Sequence, residues 1–307
     1  MAPRPILLID DDRLQHQLVK KIISRFRTGP WEFDGALDFS AGLKKLVSGR
    51  HAVCLLDYRL GKDDGLELLR AARVAGCTVP VVVLTADDSV EVEDAAMEAG
   101  AMDFLVKREI DGRVLERSIR YARKLGETLE RLNQLATRDG LTGLLNRREF
   151  ERILEEEWQR SVRFERPFTL LLVDIDHFKQ VNDTHGHQVG DEVLRHVASL
   201  LAGQLRSVDR VARYGGEEFA VIMVESGCGA AMERLQRICA LLEDMPCVVG
   251  EKELVVTVTL SAGVAEMNAS LPNAAHLITL ADKALYAAKD AGRNRIVAAQ
   301  HGRRASS

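Results

Sequence analysis

Four short apolar runs in the first 110 or so residues each end abruptly on a polar residue. Ile6-Leu7-Leu8-Ile9 runs into Asp10-Asp11-Asp12, Ala52–Leu56 into Asp57, Val79–Leu84 into Thr85-Ala86, and Met102–Val106 into Lys107. Runs of this length read as buried strands, and helical patterns lie between them, for example Gly65–Val74 and Ser89–Ala99. Strand and helix alternating in this way imply a parallel sheet with helices on both faces. Such a sheet delivers the last residues of its strands to one edge, where ligands bind. Asp10, Asp11, Asp57, Thr85 and Lys107 are therefore expected to converge there. One such residue would be an ordinary loop cap. Three carboxylates, a hydroxyl and an ammonium together form a site.

The second half is patterned differently. Val211–Tyr214 and Phe219–Val224 are β-favouring runs, and the Gly215-Gly216 pair between them predicts a tight hairpin. Glu217 and Glu218 lie at the far lip of that turn. Two ionised carboxylates about 4 Å apart repel by roughly 4 kcal/mol at an effective dielectric of 20, so a cation is expected to relieve them. Glycine at the turn removes the Cβ and lets a phosphate chain approach the backbone. A second acidic stretch, Asp174-Ile175-Asp176, ends the apolar run Phe168–Val173. Hard oxygen donors of this kind suit Mg²⁺ (or Mn²⁺) with phosphate as co-ligand.

These residues carry two resemblances. Gly215–Phe219 matches the signature of the GGDEF diguanylate cyclases in its GGEEF form. The opening stretch Asp139–Arg147 is similar to that family, as is Asp174–Lys179 with Asn182-Asp183, Gly186-His187 and Gly190-Asp191. The closing stretch Ala284–Lys289 with Gly292-Arg293-Asn294 is similar too. The constellation of the first half resembles the receiver domain of two-component response regulators. The architecture implied is a doubly wound parallel five-stranded α/β receiver over residues 1–112 and a helical coiled-coil linker over 113–137. An α+β, palm-like nucleotide-cyclase (GGDEF) domain then covers 138–300, and 301–307 form a disordered tail.

The receiver resemblance implies that Asp57 accepts a phosphoryl group from a cognate histidine kinase or phosphotransfer protein. Asp11, Asp57 and the backbone carbonyl of Arg59 would hold one Mg²⁺, assisted by Asp10, with Lys107, Thr85 and Phe104 as the switch. A carboxylate is a poor nucleophile unless a metal neutralises the incoming phosphoryl oxygens, which fits the extra acids. Lys107 is followed by Arg108, where receivers usually carry a proline.

The cyclase resemblance implies two metals per site, held by Asp174, the backbone carbonyl of Ile175, Glu217 and Glu218. GTP would lie across Gly215-Gly216, with Lys179 and His187 in the nucleotide-binding stretch and Asn182 and Asp191 on the guanine edge. A carboxylate at Asp191 accepts from the guanine N1–H and amine, a pair of donors that adenine lacks. Lys289 and Arg293, four apart on an expected helix, would contact the terminal phosphates. The catalytic residues implied are Asp174, Glu217 and Glu218. Glu218 as base and a metal acting alone are both left open for deprotonation of the 3′-hydroxyl. Arg206-Ser207-Val208-Asp209 matches the family's inhibitory RxxD site, implying feedback by cyclic di-GMP with Arg237 as an additional contact.

Between the halves, Val114–Ala136 contains no proline. Leu115, Ser118, Ala122, Leu125, Leu129, Leu132 and Ala136 fall at steps of three and four, a weak heptad seam. A helix packed on its own receiver gives a similar stripe, but pairing with a second copy is the favoured reading. A homodimer also follows from the product, which joins two guanosines.

Composition excludes other classes. The net charge is −4, and the second half shows no basic recognition helix, against a DNA-binding regulator. No long apolar stretch or signal-peptide pattern is present, so a cytoplasmic protein without membrane insertion is expected. The five cysteines show no CxxC spacing. The leading expectation is a phosphorylation-activated diguanylate cyclase. The alternative is a catalytically silent sensor of GTP or cyclic di-GMP.

Overall fold

The computed structural model describes residues 5–250 and 253–299. The expected tail, 301–307, lies outside the described residues. The chain divides into two compact units, residues 1–133 and 134–307.

In the first unit, β1 (Ile6–Ile9) is followed by α1 (Arg13–Ile23), β2 (Phe33–Ala36), α2 (Phe39–Val47) and β3 (Val53–Asp57). A small ribbon of β4 (Arg59–Leu60) and β5 (Asp63–Asp64) leads to α3 (Gly65–Val74), β6 (Val81–Thr85), α4 (Val90–Glu98) and β7 (Asp103–Val106). Strand order is β2-β1-β3-β6-β7 and every pairing is parallel. Alternate residues of β1 serve opposite faces. Leu7 and Ile9 join a core with Leu66 and Leu69 of α3, while Ile6 and Leu8 pack with Val19 and Ile23 of α1. The strand missing from the four runs above is β2. Its sequence Phe-Asp-Gly-Ala is half-buried at the sheet edge and carries no apolar run.

Helix α5 (Gly112–Thr137) follows a 3₁₀ turn at Lys107–Glu109. The seam divides along its length. Leu115, Ser118 and Ala122 are buried, with Leu115, Ile119 and Ala122 in the core shared with α1, whereas Leu125, Leu129 and Leu132 are 44%, 46% and 56% exposed. The helix therefore packs on its own receiver at least as far as Gly126, which lies against Pro80, while the seam leucines from Leu125 onward face solvent.

The second unit contains β8 (Leu145–Asn146), α6 (Arg147–Phe164), β9 (Phe168–Ile175), α7 (Phe178–His185), α8 (His187–Gln204), β10 (Arg210–Arg213) and β11 (Glu218–Val224). It continues with α9 (Cys228–Asp244), β12 (Cys247–Val249), β13 (Leu254–Val256), β14 (Leu260–Glu266), α10 (Ala274–Asp290) and β15 (Ile296–Ala298). The main sheet has the order β15-β14-β9-β11-β10-β8, with β9 at its centre and all eight of its residues buried. Helices α8 and α9 cover one face and α6 and α10 the other. The stretch Val255–Ala262, which its sequence favours as one strand, is divided between two. β13 pairs with β12 in a separate ribbon, and β14 enters the main sheet beside β9.

Candidate functional site

Parallel strands bring the receiver acids together as the topology requires. Asp10, Asp11 and Asp57 present ligand oxygens within 4.8 Å of one another, the one such acidic group among the described residues. Lys107, carried in just after β7, places Nζ 2.9 Å from Asp10 Oδ2 and 2.8 Å from Asp57 Oδ2. Burial and the charge of Asp10 push the Asp57 carboxyl up against the pull of Lys107. Burial alone would lower the Lys107 ammonium, but its bonds to Asp57 and Asp10 hold it high. Three clustered acids with only one lysine between them fit a hard divalent cation. Thr85 is buried at the end of the adjacent strand, and Phe104 is half-buried. The Arg59 amide lies 3.4 Å from Asp57 Oδ1. A Cβ on Gly65 would fall 2.0 Å from the Asp57 carbonyl oxygen, so only glycine lets α3 start this close to the acceptor. Arg108 pairs with Asp88, tying the 3₁₀ turn to the loop after β6.

The second site comes from antiparallel register. Glu218 lies directly across from Asp174 in the β11–β9 ladder, and the Ile175 amide donates to the Glu217 carbonyl. Tyr214 and Gly215 amides both donate to the Glu218 carbonyl, which closes the turn. The two turn glycines have different reasons. A Cβ at Gly215 would meet Glu218 Oε2 at 2.5 Å, while one at Gly216 meets nothing within 4 Å. Gly215 makes room for the carboxylate, and Gly216 keeps the surface open to a ligand.

Lys289 reaches the same place from α10, its Nζ 2.7 Å from Asp174 Oδ2. Another glycine makes that possible, since a Cβ on Gly263 of β14 would meet the Ala281 carbonyl oxygen at 2.0 Å. Burial raises the Asp174 carboxyl, and the charges of Glu217 and Glu218 add to the rise against the pull of Lys289. The donor set is again hard oxygen, and its mutual repulsion fits Mg²⁺.

Arg293 is not brought onto the same helical face as Lys289. Helix α10 ends at Asp290, and the chain turns through Gly292, Arg293 and Asn294, all at positive φ. The physical reason is Asp176. This buried acid accepts from Thr259 Oγ1 (2.7 Å), Ser261 Oγ (2.6 Å) and the Asn294 amide (3.0 Å), pulling the segment after α10 onto β9. Asp176 was visible in the Asp-Ile-Asp run; its pattern alone could not show that it is structural.

The expected guanine-reading pair sits where α7 meets α8. Asn182 Oδ1 would lie 1.9 Å from a Cβ on Gly190, so that glycine exists to admit the Asn182 side chain beside Asp191. Lys179 and His187 are exposed on α7 and at the start of α8. Arg213, not singled out by the sequence, clamps the turn: Nε and Nη2 donate to the Gly216 carbonyl (3.0 and 2.8 Å) and Nη1 reaches both oxygens of Asp139 (3.3 Å each). Burial acts against ionisation of Asp139, but Thr142 and Arg213 outweigh it and hold its carboxyl below the ordinary value. Tyr214 donates to Glu151 Oε1 at 2.9 Å, and burial together with that contact pushes the phenol up to about 12.

Arg206 and Asp209 face each other. Asp209, buried, accepts from the Arg206 amide (3.0 Å) and Nε (3.3 Å) and from the Val224 amide (3.2 Å). Arg206 also donates to the Val224 carbonyl and Ser226 Oγ, yet its side chain is 46% exposed. Arg237 is exposed and pairs with Glu233 one turn back on α9.

The cyclase-half sheet thus carries Asp174 and Glu218 facing each other, an open Gly-Gly turn and a lysine from a neighbouring helix at one place. The sequence matches the family described as Diguanylate cyclase, GGDEF domain, over residues 136–295, just over half of the chain. The chain belongs to that family. Residues 6–119 match the response regulator receiver domain. Similar proteins include Response regulator PleD of Caulobacter vibrioides, 36% identical over 302 residues, covering 95% of this chain and 65% of that protein. Probable diguanylate cyclase DgcC of Escherichia coli is 42% identical over 178 residues, 58% of this chain and 47% of that protein. The chain thus spans about half to two thirds of these relatives' own length. Among solved structures, the coiled coil and GGDEF domain of DgcB from Caulobacter crescentus, in complex with c-di-GMP, matches with a TM-score of 0.57 at 34% identity. It covers 61% of this chain and 98% of that one. Among the described residues, no helix is long and apolar enough to cross a membrane.

Proposed function

We propose that this protein is a diguanylate cyclase, joining two GTP into cyclic di-GMP with release of two pyrophosphates, and that its receiver controls it through phosphorylation of Asp57. The observation that carries the reading is the convergence of Asp174, Glu218 and Lys289 beside an open Gly-Gly turn. When bound, Mg²⁺ at Asp174, Ile175, Glu217 and Glu218 supplies charge neutralisation for the α-phosphoryl and the leaving pyrophosphate.

The chain's own residues do the rest. Gly216 admits the triphosphate against the backbone, and Lys289 leaves its Asp174 contact partly or wholly for a phosphate oxygen. Asn182 and Asp191 select guanine by accepting from N1–H and the exocyclic amine. Lys179 and His187 border that nucleotide, and Arg293 stands at the phosphate end only if the turn after α10 swings it inward. Arg213 holds the Gly216 carbonyl, so the turn keeps one geometry while charge moves across it. Each cyclase half holds one GTP, and two copies of it face each other to complete both bonds. The exposed seam Leu125, Leu129 and Leu132 is the surface on which a second copy pairs.

In the receiver, Asp11, Asp57 and the Arg59 carbonyl would hold Mg²⁺, which would supply charge neutralisation for the phosphoryl group that Asp57 accepts from a histidine kinase or phosphotransfer protein. Lys107 already bridges Asp10 and Asp57 and exchanges one carboxylate for a phosphoryl oxygen, while Thr85 and Phe104 follow the new charge. Product inhibition uses Arg206: its exposed guanidinium takes up a guanine or phosphate of cyclic di-GMP, with Asp209 fixing its base and Arg237 released from Glu233. The similar coiled coil and GGDEF domain of DgcB is crystallised in complex with c-di-GMP, which supports binding of the product by a domain of this kind.

The test is incubation of purified protein with GTP and Mg²⁺, with and without beryllofluoride, and identification of the nucleotide formed. Cyclic di-GMP, made faster with the phosphoryl mimic, is the expected outcome. GTP bound but unconsumed in both arms would contradict the reading in favour of a silent sensor.

A further inference from the structure

Tyr214 leads the chain from β10 into the Gly-Gly turn. Its amide donates to the Glu218 carbonyl at 2.7 Å, so where Tyr214 sits decides where the acid facing Asp174 sits. Arg213 grips the far side of the turn at the Gly216 carbonyl. The near side is held by side chains from the start of α6. The Tyr214 hydroxyl donates to Glu151 Oε1 at 2.9 Å, and Arg147 Nε donates to the same oxygen at 2.8 Å. The Arg147 guanidinium lies 4.5 Å from the centre of the Tyr214 ring, and the Phe150 ring makes a T-shaped contact with it at 6.0 Å.

Glu151 stands apart from its neighbours on this helix. Among the described residues, the carboxylates of Glu149, Glu155, Glu156 and Glu157 bond only to side chains of α6 itself. Glu151 alone reaches across to the hairpin. It does so from a fixed base. Asn146 caps α6, its Oδ1 accepting from the Glu149 amide at 3.0 Å and its Nδ2 donating to the Ala136 carbonyl at 2.8 Å. Arg148 donates to that carbonyl too, at 2.9 Å. Asn146 also pairs with Arg213 in the β8–β10 ladder, and Phe150 is fully buried. The first turn of α6 is therefore pinned to the end of α5, to the sheet and to the core. Support of this kind is what keeps a reacting geometry within tolerance. Burial acts against ionisation of Glu151, but Arg147 and Tyr214 outweigh it and hold its carboxyl below the ordinary value. An ionised carboxylate facing a neutral phenol makes a charge-assisted bond.

We infer that Glu151 is a positioning residue for nucleotide transfer. Through the Tyr214 hydroxyl it fixes the near side of the Gly-Gly turn, and with it the carboxylates of Glu217 and Glu218. The inference rests on the cyclase reading above. Asn182, Asp191 and Lys289 hold GTP from other elements, so a loosened turn slows transfer more than it weakens binding.

The test measures kcat and KM for GTP on the full-length protein with Mg²⁺, beside the unfolding midpoint of each variant. Tyr214→Phe keeps the ring between Arg147 and Phe150 and loses only the bond to Glu151. Tyr214→Phe and Glu151→Ala should each lower kcat about tenfold, because a displaced reacting geometry is costly in rate. KM for GTP should stay within about twofold in both. The double variant should be no slower than either single one, since both remove the same bond. Glu151→Gln still offers the hydroxyl an acceptor and should keep more than about half of the native rate. Arg152→Ala, which breaks ion pairs to Glu149 and Glu156 on the same helix, should turn over like the native chain. Native kcat in Tyr214→Phe, additive losses in the double variant, or an equal loss in Arg152→Ala would overturn the assignment while leaving the cyclase reading intact. A native chain that makes no cyclic di-GMP would overturn both.

Discussion

The acidic sites of the two halves share a chemistry and differ in how the sheet delivers it. In the receiver, separate parallel strands end side by side, and Asp10, Asp11 and Asp57 meet as a compact group under Lys107. In the cyclase half, one acid stands on the central strand and another directly across the ladder, with Lys289 arriving from a helix. A parallel edge gathers ligands by topology alone. An antiparallel ladder gathers them by register, so a single-residue slip would send Glu218 to the other face. Each site also depends on one glycine at a helix–strand contact: Gly65 of α3 against the Asp57 carbonyl, and Gly263 of β14, the strand beside β9, against α10.

The lysines offer the largest contrast. Lys289→Ala should lower cyclase turnover on the order of 100-fold, since it removes a charge aimed at the developing phosphate. Lys107→Ala should leave basal turnover intact and abolish the response to beryllofluoride. Steady-state rates for both variants check this, and equal loss of basal rate in the two would erase the proposed division of labour.

The glycines come next. Gly65→Ala and Gly263→Ala each force a Cβ to within 2.0 Å of a backbone oxygen, which should cost about 1–3 kcal/mol. Calorimetry should show each substitution lowering the unfolding transition of its own half. A shift of both transitions by either variant would contradict two independently folded units.

A smaller effect belongs to the Arg213 clamp. Asp139 has a folded-state pKa below its ordinary value. Its ionised form therefore adds stability that is present in full above the ordinary carboxylate range and lost as pH falls through the lowered value. Asp139→Asn should destabilise the cyclase half by about 1 kcal/mol at neutral pH and by less in acid. Denaturant midpoints at several pH values test this, and a difference that grew on acidification would have the wrong sign. Leu129→Lys should change stability by less than about 0.5 kcal/mol, because the side chain is 46% exposed, while weakening self-association in sedimentation.

The strand-ending acids, the hairpin and the main helices were legible because apolar runs and Gly-Gly turns act locally. What escaped depends on partners distant in sequence. β2 is an edge strand whose Asp34 and Gly35 hide its pattern, although Asp34 is held by Lys45 and His51. Arg213 reads as one more basic residue until Asp139, 74 positions away, is seen against it. Arg293 was placed on a helix by spacing alone, but Asp176 captures the Asn294 amide and unwinds that register. The heptad seam was read as continuous, yet the receiver sheet buries its first positions and leaves the remainder exposed.

The central claim is that the acids at the Gly-Gly hairpin perform nucleotide transfer, and the most direct measurement is cyclic di-GMP formation by the Glu217→Ala/Glu218→Ala protein with GTP and Mg²⁺. The account predicts product at background level from a protein whose unfolding midpoint is close to native. Turnover equal to that of the native chain would contradict it.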